Sequence, residues 1–299
     1  MSDASVSILP DRGIIIVTGD EARTFLQGIV SNDTAKVSPE QAGYGAFLTP
    51  QGKYLFDFFM AECDGQLFIE TERDRIPDFI KRLSLYKLRA KVTLEDASSR
   101  HCIAASYGEG ALKSLSLPTT PGACSPFQSG IAFTDPRIAA AGARLIVPLN
   151  EEALLTENPE TSLAEPGAYD AHRIALGLPD ASRDMTVEKS VLLEYGFDEL
   201  NGIDWHKGCY MGQEVTARTK HRGLLKKRLF PVSIDGPCPA PGTAIMADDR
   251  EAGEMRSSYG SMGLAIIKLD YLDDAATATT PLRADGATLS PRKPAWMTL

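Results

Sequence analysis

Short apolar runs separated by turn residues dominate the first part of the chain and predict strands. Runs of strand length occur at residues 7–9, 14–17, 44–48, 54–62 and 66–70. Turn residues at 10–13 join the first two runs, which predicts that the chain opens with a β-hairpin. Asp64 and Gly65 form a favoured hairpin dipeptide between the last two runs. Apolar residues at helical spacing predict helices over residues 22–29 and 76–83.

The middle of the chain continues this mixture of strands and helices. Apolar runs predict strands at residues 92–95, 103–106, 131–133 and 144–147. Residues 115–129 are rich in Pro, Ser, Thr and Gly, which is typical of an exposed connection. A helix is predicted over residues 167–175, where Gly177 and Pro179 supply the end. Helices interleaved with hairpins favour an α+β fold over a doubly wound parallel sheet.

The pattern changes after Arg228 to short alternating runs separated by Gly and Pro. These runs lie at residues 229–234, 243–246, 252–256 and 262–267. They predict a small antiparallel barrel or sandwich. A chain of 299 residues is also too long for one typical core. We therefore expect two mixed α+β domains, at residues 1–97 and 98–225, and a C-terminal domain at residues 226–299.

The balance of charge narrows the classes of function. The formal net charge of -9 argues against a surface that binds nucleic acid or an anionic membrane as a whole. Residues 218–228 are an exception, with six basic residues in eleven positions, and form either a solvated face or an anion site. No uninterrupted apolar stretch approaches the roughly 18 residues of a membrane span.

The cysteines and the first residues bear on the cellular location. Five cysteines without a Cys-x-x-Cys pair provide neither a disulfide framework nor a standalone zinc site. Residues 1–6 lack the basic and apolar segments of a secretory signal. We therefore expect a reducing, cytoplasmic location.

Cys209 is the first candidate for chemistry, within residues 207–214, which read Lys-Gly-Cys-Tyr-Met-Gly-Gln-Glu. A helix is predicted over residues 215–222, so Cys209 would lie just before a helix N-terminus. The partial positive charge there, with Lys207 nearby, should favour the thiolate and make the sulfur a nucleophile, a ligand or a redox group. The alternative is that Cys209 is a small buried hydrophobe, as most free cysteines are.

This octet resembles the signature of the YgfZ family, folate-binding proteins implicated in iron–sulfur enzyme maturation. Seven of the eight positions are fixed in that signature. Segments 25–33, 48–57, 88–96 and 173–179 look like further blocks of the family in the expected order. The family is similar in fold to the glycine-cleavage T-protein, an aminomethyltransferase. The resemblance implies two α+β domains and a C-terminal antiparallel β-barrel around a central cleft that binds folate.

The resemblance also points to Asp57 and Arg173. Asp57 matches one of two aspartates that end the corresponding T-protein block, and Phe56 replaces the other. A carboxylate among apolar neighbours could have a raised pKa, which suits proton transfer at a pterin nitrogen, unless Asp57 merely lies on the solvated side of an edge strand. Arg173 lies in the block where a T-protein glutamate recognises the pterin ring, and Ala175 replaces that glutamate here. This loss favours a maturation factor over a transferase.

Six further residues are candidates for contact with a cofactor. They offer charged, amide or aromatic groups, and they are Lys207, Tyr210, Gln213, Glu214, Arg218 and Asn32. Plainer interpretations exist, because Glu214 and Arg218 have the i, i+4 spacing of a local ion pair and Asn32 could belong to a simple turn. His206, three positions before Cys209, could serve as a base or a second ligand.

The favoured hypothesis is a factor that binds tetrahydrofolate or a derivative and works with iron–sulfur assembly proteins. It would support assembly or repair of clusters in client enzymes, including tRNA-modifying enzymes. Cys209 would be its essential thiol and would share a cluster with a partner, because a cluster usually needs four ligands. The alternative is a folate-dependent aminomethyltransferase-like one-carbon transferase that uses Asp57. An RNA-binding module is disfavoured because residues 218–228 lack interleaved aromatics.

Overall fold

The structure, a computed structural model, describes residues 4–157, 161–223, 225–273 and 281–298. Its strands are β1 (Ala4–Ile8), β2 (Arg12–Thr18), β3 (Gly43–Leu48), β4 (Tyr54–Cys63), β5 (Gln66–Glu72), β6 (Thr93–Asp96), β7 (His101–Gly108), β8 (Cys124–Phe127), β9 (Gly130–Thr134), β10 (Ala143–Pro148), β11 (Thr161–Leu163), β12 (Lys227–Asp235), β13 (Ala244–Ala247), β14 (Arg250–Tyr259), β15 (Met262–Lys268), β16 (Leu282–Ala284) and β17 (Ala287–Pro291). Its α-helices are α1 (Ala22–Gln27), α2 (Ile76–Lys87), α3 (Ala111–Ser114), α4 (Ala168–Leu176), α5 (Ala181–Asp184), α6 (Gln213–Arg222) and α7 (Asp270–Asp273). The strands form a five-stranded sheet, a six-stranded sheet and a closed barrel, so the predicted α+β class with a C-terminal barrel is confirmed.

The five-stranded sheet has the order β3-β4-β5-β2-β6 and is antiparallel throughout. The predicted hairpin between β4 and β5 is confirmed, and both Asp64 and Gly65 have positive φ, at 50° and 70°. Helix α2 covers one face, where the ring of Phe79 stacks on that of Phe56 with centroids 4.3 Å apart. Burial of these aromatic rings holds the helix on the sheet.

The predicted opening hairpin is wrong, because β1 and β2 belong to different sheets. β1 pairs with β7 and β11 in the six-stranded sheet, whereas β2 pairs with β5 and β6. The turn between them is a crossover, in which the Leu9 N–H donates to the carbonyl of Ile103. Turn residues predict a reversal of the chain, but they do not identify the strand that pairs afterwards. β1 therefore lies outside the first sheet. The proposed domain limits of residues 1–97 and 98–225 stay predictions.

The C-terminal barrel closes in the order β12-β15-β14-β13-β16-β17. Its interior is filled by apolar side chains that include Phe230, Met255 and Ile267. Closure removes unpaired strand edges, which explains how such short strands form a stable unit. The sequence pattern did not predict the β16–β17 hairpin, since its strands are only three and five residues long.

Helices α4 and α6 lie within two residues of their predicted positions. Helix α4 contacts β7 on one side and the barrel strands β14 and β15 on another, so it links the six-stranded sheet to the barrel. Within the described ranges, no helix combines the length and the apolar character needed to span a membrane.

Candidate functional site

Cys209 lies on a loop formed by residues 205–212, here called the thiol loop, and its side chain is exposed. The alternative of a small buried hydrophobe is therefore wrong. Gly212 has φ of 81° and precedes α6, which begins at Gln213. A Cβ atom at Gly212 would lie 2.6 Å from the carbonyl oxygen of Thr49, so this close approach requires glycine. The thiol loop thus packs against the turn before β4 while Cys209 stays accessible.

Lys207 attaches the thiol loop to the segment that follows α1. Its Nζ atom donates to the carbonyl oxygens of Val30 and Asn32 at 2.6 and 2.7 Å. Desolvation by burial lowers the pKa of Lys207 to about 8. The ammonium group is therefore engaged by the protein's own carbonyls, and the expected pairing of Lys207 with the Cys209 sulfur finds no support in this geometry.

Asp204 is a supporting residue that the sequence interpretation missed. Its Oδ1 atom accepts hydrogen bonds from the backbone N–H groups of His206 and Lys207, at 2.8 and 3.1 Å. Its Oδ2 atom accepts from the Nζ atom of Lys36 at 2.5 Å. Burial alone would raise the pKa of Asp204, but the hydrogen bonds from Lys36 and the two backbone N–H groups outweigh it and hold the pKa below the usual range. An aspartate whose side chain accepts from the backbone N–H two residues later is a recognisable turn-forming signal. Asp204 thereby fixes the start of the thiol loop.

The remaining octet residues bond mainly within the octet. The Tyr210 N–H donates to Oε1 of Gln213 at 3.1 Å, and burial raises the pKa of the Tyr210 hydroxyl to about 12. Glu214 and Arg218 form the ion pair that their spacing predicts, with both side chains more than half exposed. These contacts stabilise the start of α6 locally, and an exposed pair of this kind contributes only about 0.3–0.5 kcal/mol.

Asn32 borders a cleft of about 540 Å³ beside the thiol loop, here called the loop cleft. Tyr44, Trp205 and His206 also line it. The Nδ2 atom of Asn32 donates to the carbonyl oxygens of Tyr44 and Asn201, at 2.6 and 2.7 Å. Asn32 therefore connects β3 to the segment that leads into the thiol loop.

Asp57 is buried in β4 and held by two tyrosine hydroxyl groups. The hydroxyls of Tyr44 and Tyr54 each donate to one carboxylate oxygen at 2.9 Å. Desolvation raises the pKa of Asp57, and the nearby Arg12 guanidinium opposes that rise only in part. The alternative of a solvated edge position is therefore wrong, because Asp57 is 4% exposed and β4 lies between β3 and β5.

A second cleft, of about 580 Å³, lies between β1, α4 and the segment after β11. Arginines are prominent in its lining, and we call it the arginine cleft; Arg12, Arg144 and Arg183 all contribute. The Oε1 atom of the buried Glu70 accepts hydrogen bonds from Arg12 and Arg144 at 2.8 and 3.1 Å. Arg183 pairs instead with Asp170 and Asp180, each at 3.0 Å. The cleft therefore presents mixed charge, since its lining also includes the acidic residues Asp11, Glu165, Asp170 and Asp180.

Arg173 lies buried in α4 behind this cleft. Its guanidinium donates to Asp170 and Asp184, at 2.6 and 2.7 Å. Its Nη2 atom and the Oε2 atom of Glu70 are buried without a hydrogen-bond partner among the described residues. Buried polar atoms in folded proteins normally have partners, so a water or a bound ligand is expected next to these two atoms.

The basic run at residues 218–228 is mostly occupied by local ion pairs. Lys220 lies 3.0 Å from Asp198 and over the ring of Trp205, and Arg228 pairs with Glu199 at 2.8 Å. The expected anion site finds little support in this arrangement. Cations already paired in this way have weaker attraction for a further anion.

Within the described ranges, no group of three or more His, Cys, Asp or Glu side chains is placed to hold a metal ion. A cluster that contacts Cys209 would therefore draw its other ligands from a partner.

The five-stranded sheet, the six-stranded sheet and the closed barrel together define an aminomethyltransferase-like fold. The crystal structure of glycine cleavage system aminomethyltransferase T from Bartonella henselae matches with a TM-score of 0.75, covering 99% of this chain and 87% of that chain. At 14% identity, this likeness shows the fold alone. Residues 226–299 match the family model described as the CAF17 C-terminal beta-barrel domain.

The curated relatives define the family more closely. The chain is 32% identical to the mitochondrial iron-sulfur cluster assembly factor IBA57 of Mus musculus, covering 88% of this chain and 77% of the relative. The Homo sapiens protein of the same name is also 32% identical, covering 87% and 76%. The chain therefore belongs to the IBA57 family of iron–sulfur cluster assembly factors, and the predicted role in cluster maturation is confirmed.

These relatives also correct two expectations. The YgfZ-type resemblance is confirmed only as kinship with iron–sulfur assembly factors of this fold, since the relatives carry the IBA57 name. The prediction of a cytoplasmic location is wrong, because the relatives are named as mitochondrial proteins.

Proposed function

We propose that this factor acts through Cys209, whose sulfur contacts an iron–sulfur cluster as cargo while a partner protein supplies other ligands. The observation that carries the proposal is an exposed thiol on a loop fastened at both ends. Lys207 bonds to Val30 on one side of Cys209, and the Met211 N–H donates to the carbonyl of Gly28 on the other. A loop that is already ordered loses little conformational freedom when its thiol binds, which favours affinity.

The direct test adds the purified chain to a [2Fe–2S]-loaded carrier protein under anaerobic conditions. We expect wild type and Cys238→Ser to change the visible circular dichroism of the cluster, because a new thiolate ligand alters its electronic transitions. Cys238 is also exposed and provides the matched control. Cys209→Ser should leave the spectrum unchanged at an unaltered melting temperature. An equal spectral change with Cys209→Ser would exclude the proposal.

We further propose that the arginine cleft binds tetrahydrofolate or a derivative. Its volume of about 580 Å³ is within the usual range of small-molecule sites. Arg183 is 43% exposed and pairs with Asp170 and Asp180 at 3.0 Å, so a glutamate carboxylate of a folate tail would bind it in competition with these aspartates. The family resemblance supplies the identity of the ligand.

Calorimetry with tetrahydrofolate tests this second proposal. Arg183 is partly exposed, so Arg183→Gln should fold normally and weaken binding by about tenfold, as expected when a charge-assisted hydrogen bond is lost. Arg218→Gln is the control, because Arg218 lies on α6 and not in the arginine cleft. No heat up to millimolar ligand would remove the proposal, and a loss confined to Arg218→Gln would move the folate tail to the basic run.

A one-carbon transferase is the alternative function, and it would require Asp57 to exchange a proton with folate. The raised pKa of Asp57 supports this role, whereas its enclosure by Tyr44 and Tyr54 supports a structural one. Formation of methylenetetrahydrofolate from an aminomethyl donor, lost in Asp57→Asn, would favour the transferase. tRNA-modifying enzymes remain among the proposed clients on the family resemblance.

A further inference from the structure

An apolar patch lies at the C-terminal end of α2. Leu85, Tyr86 and Leu88 are 69%, 39% and 90% exposed, and these three side chains define the α2 patch. Leu88 follows the helix with φ of 45°, a backbone conformation that costs free energy for any residue with a Cβ atom. A leucine here contributes little to folding, because its side chain is in solvent and its backbone is strained.

The α2 patch and the thiol loop rest on the same part of the protein body. The Tyr86 ring meets the edge of the buried Phe47 ring with centroids 6.0 Å apart. Phe47 forms a β-bridge with Val30, and Val30 is the residue whose carbonyl binds Lys207. Met211, two residues after Cys209, packs against the hydrophobic cluster that includes Phe47. A partner seated on the α2 patch would therefore rest on the same hydrophobic cluster that supports the thiol loop.

Basic residues flank the α2 patch along the chain. Lys81, Lys87, Arg89 and Lys91 lie within seven positions of its centre in the chain, and none of the four forms a salt bridge with a described residue. The chain as a whole carries a formal charge of -9, so this basic border differs from its average surface. An apolar centre with a charged border is the composition of many protein interfaces.

We infer that the α2 patch is the docking surface for an acidic iron–sulfur carrier protein, which brings its cluster to Cys209. This inference rests on the proposed function of Cys209 and adds the place and charge of the partner. Opposite charge would steer the partner to the basic border, and Leu85 and Leu88 would enter its apolar surface. A membrane is a poorer occupant, because the apolar face of α2 that includes Phe79 is already buried and the net charge opposes anionic lipid.

Site-specific photo-crosslinking tests the inference in living cells. A photoreactive amino acid is placed at position 88 and, as the matched control, at position 149, where Leu149 is 49% exposed but outside the patch. We expect position 88 to crosslink to an acidic protein that binds an iron–sulfur cluster, and position 149 not to. No such adduct at 88, or the same adduct at 149, would overturn the inference.

The carrier identified by crosslinking is then purified on its own. Its binding to the chain separates docking from cluster contact. Leu88→Asp should weaken binding by at least about tenfold through lost apolar contact and like-charge repulsion, while Leu149→Asp should not. Leu88→Gly relieves the backbone strain, so it should weaken binding with an equal or higher melting temperature. Normal carrier binding by both Leu88 variants would overturn the inference. So would equal binding of the wild type to vesicles of phosphatidylcholine and phosphatidylserine, if both variants lose that binding.

The two proposals fail in different ways. Normal activity of client enzymes with Leu88→Asp, together with lost activity with Cys209→Ser, would overturn the docking surface and leave the role of Cys209 intact. Full activity with Cys209→Ser would remove the proposed function and, with it, docking as the route to that thiol.

Discussion

The Nζ atom of Lys207 lies 2.6 Å from the carbonyl oxygen of Val30, a residue 177 positions earlier in the chain. This contact attaches the thiol loop, which carries the exposed Cys209, to the segment that follows α1. Desolvation of the ammonium lowers the pKa of Lys207 to about 8. A partly buried cation thus holds the loop that carries the thiol.

Replacing Lys207 with Met should destabilise the protein without unfolding it. The substitution leaves the carbonyl oxygens of Val30 and Asn32 without their donor, and each unsatisfied buried group costs about 1–3 kcal/mol. Urea unfolding measures the difference. Lys113→Met, at an exposed site on α3, should change stability by less than about 0.5 kcal/mol. Equal values for the two variants would show that the contact adds nothing.

The same lysine should make stability depend on alkaline pH. Below pH 8 the side chain is protonated in both states, whereas between about 8 and 10.5 the unfolded chain binds more protons than the folded one. Stability of the wild type should therefore rise with pH across this window relative to Lys207→Met. Free energies of unfolding at pH 7.5 and pH 10 test this, and a constant difference would contradict the lowered pKa.

Asp57 should be more important as a hydrogen-bond acceptor than as a charge. Asp57→Ala leaves the buried hydroxyls of Tyr44 and Tyr54 unpaired, so it should cost about 2–5 kcal/mol. Asp57→Asn keeps the shape and should cost less at pH 7. Burial raises the pKa of Asp57. The stability of the wild type relative to Asp57→Asn should therefore increase as pH falls through that pKa towards 3.8. A lower melting temperature for Asp57→Asn than for Asp57→Ala would refute this ranking.

Accessible and buried cysteines should separate clearly in labelling with iodoacetamide. Cys209 and Cys238 are exposed and should react first. Burial raises the pKa of Cys102 to about 11 and that of Cys124 to about 12, which leaves very little thiolate at pH 7. Peptide mass spectrometry over time gives the order. Early labelling of Cys102 would mean that the six-stranded sheet opens more readily than its packing implies.

Local patterns in the sequence were sufficient for much of the fold. The Asp64-Gly65 hairpin and the helix ending at Gly223 depend on nearby residues, and both are present in the structure. The separation of β1 from β2 was not predictable in this way, because β1 pairs with strands about a hundred or more positions away. Long-range pairing depends on packing that periodicity does not encode.

The candidate site shows the same division. The Glu214–Arg218 ion pair agrees with local spacing, whereas spacing left open whether Cys209 is exposed or buried. The role of Lys207 as an anchor required knowledge of Val30, far away in the chain, and so sequence proximity suggested the wrong partner for its ammonium. Side-chain direction, which spacing alone does not give, decides such contacts.

The activity of client iron–sulfur enzymes in a deletion strain tests the role of Cys209 most directly. The strain is complemented with wild type, Cys209→Ser or Cys238→Ser, each checked for equal abundance and melting temperature. Serine nearly preserves the volume but removes the soft sulfur ligand. We predict that wild type and Cys238→Ser restore enzyme activity and that Cys209→Ser does not. Full restoration by Cys209→Ser would contradict the proposal that this thiol contacts the cluster.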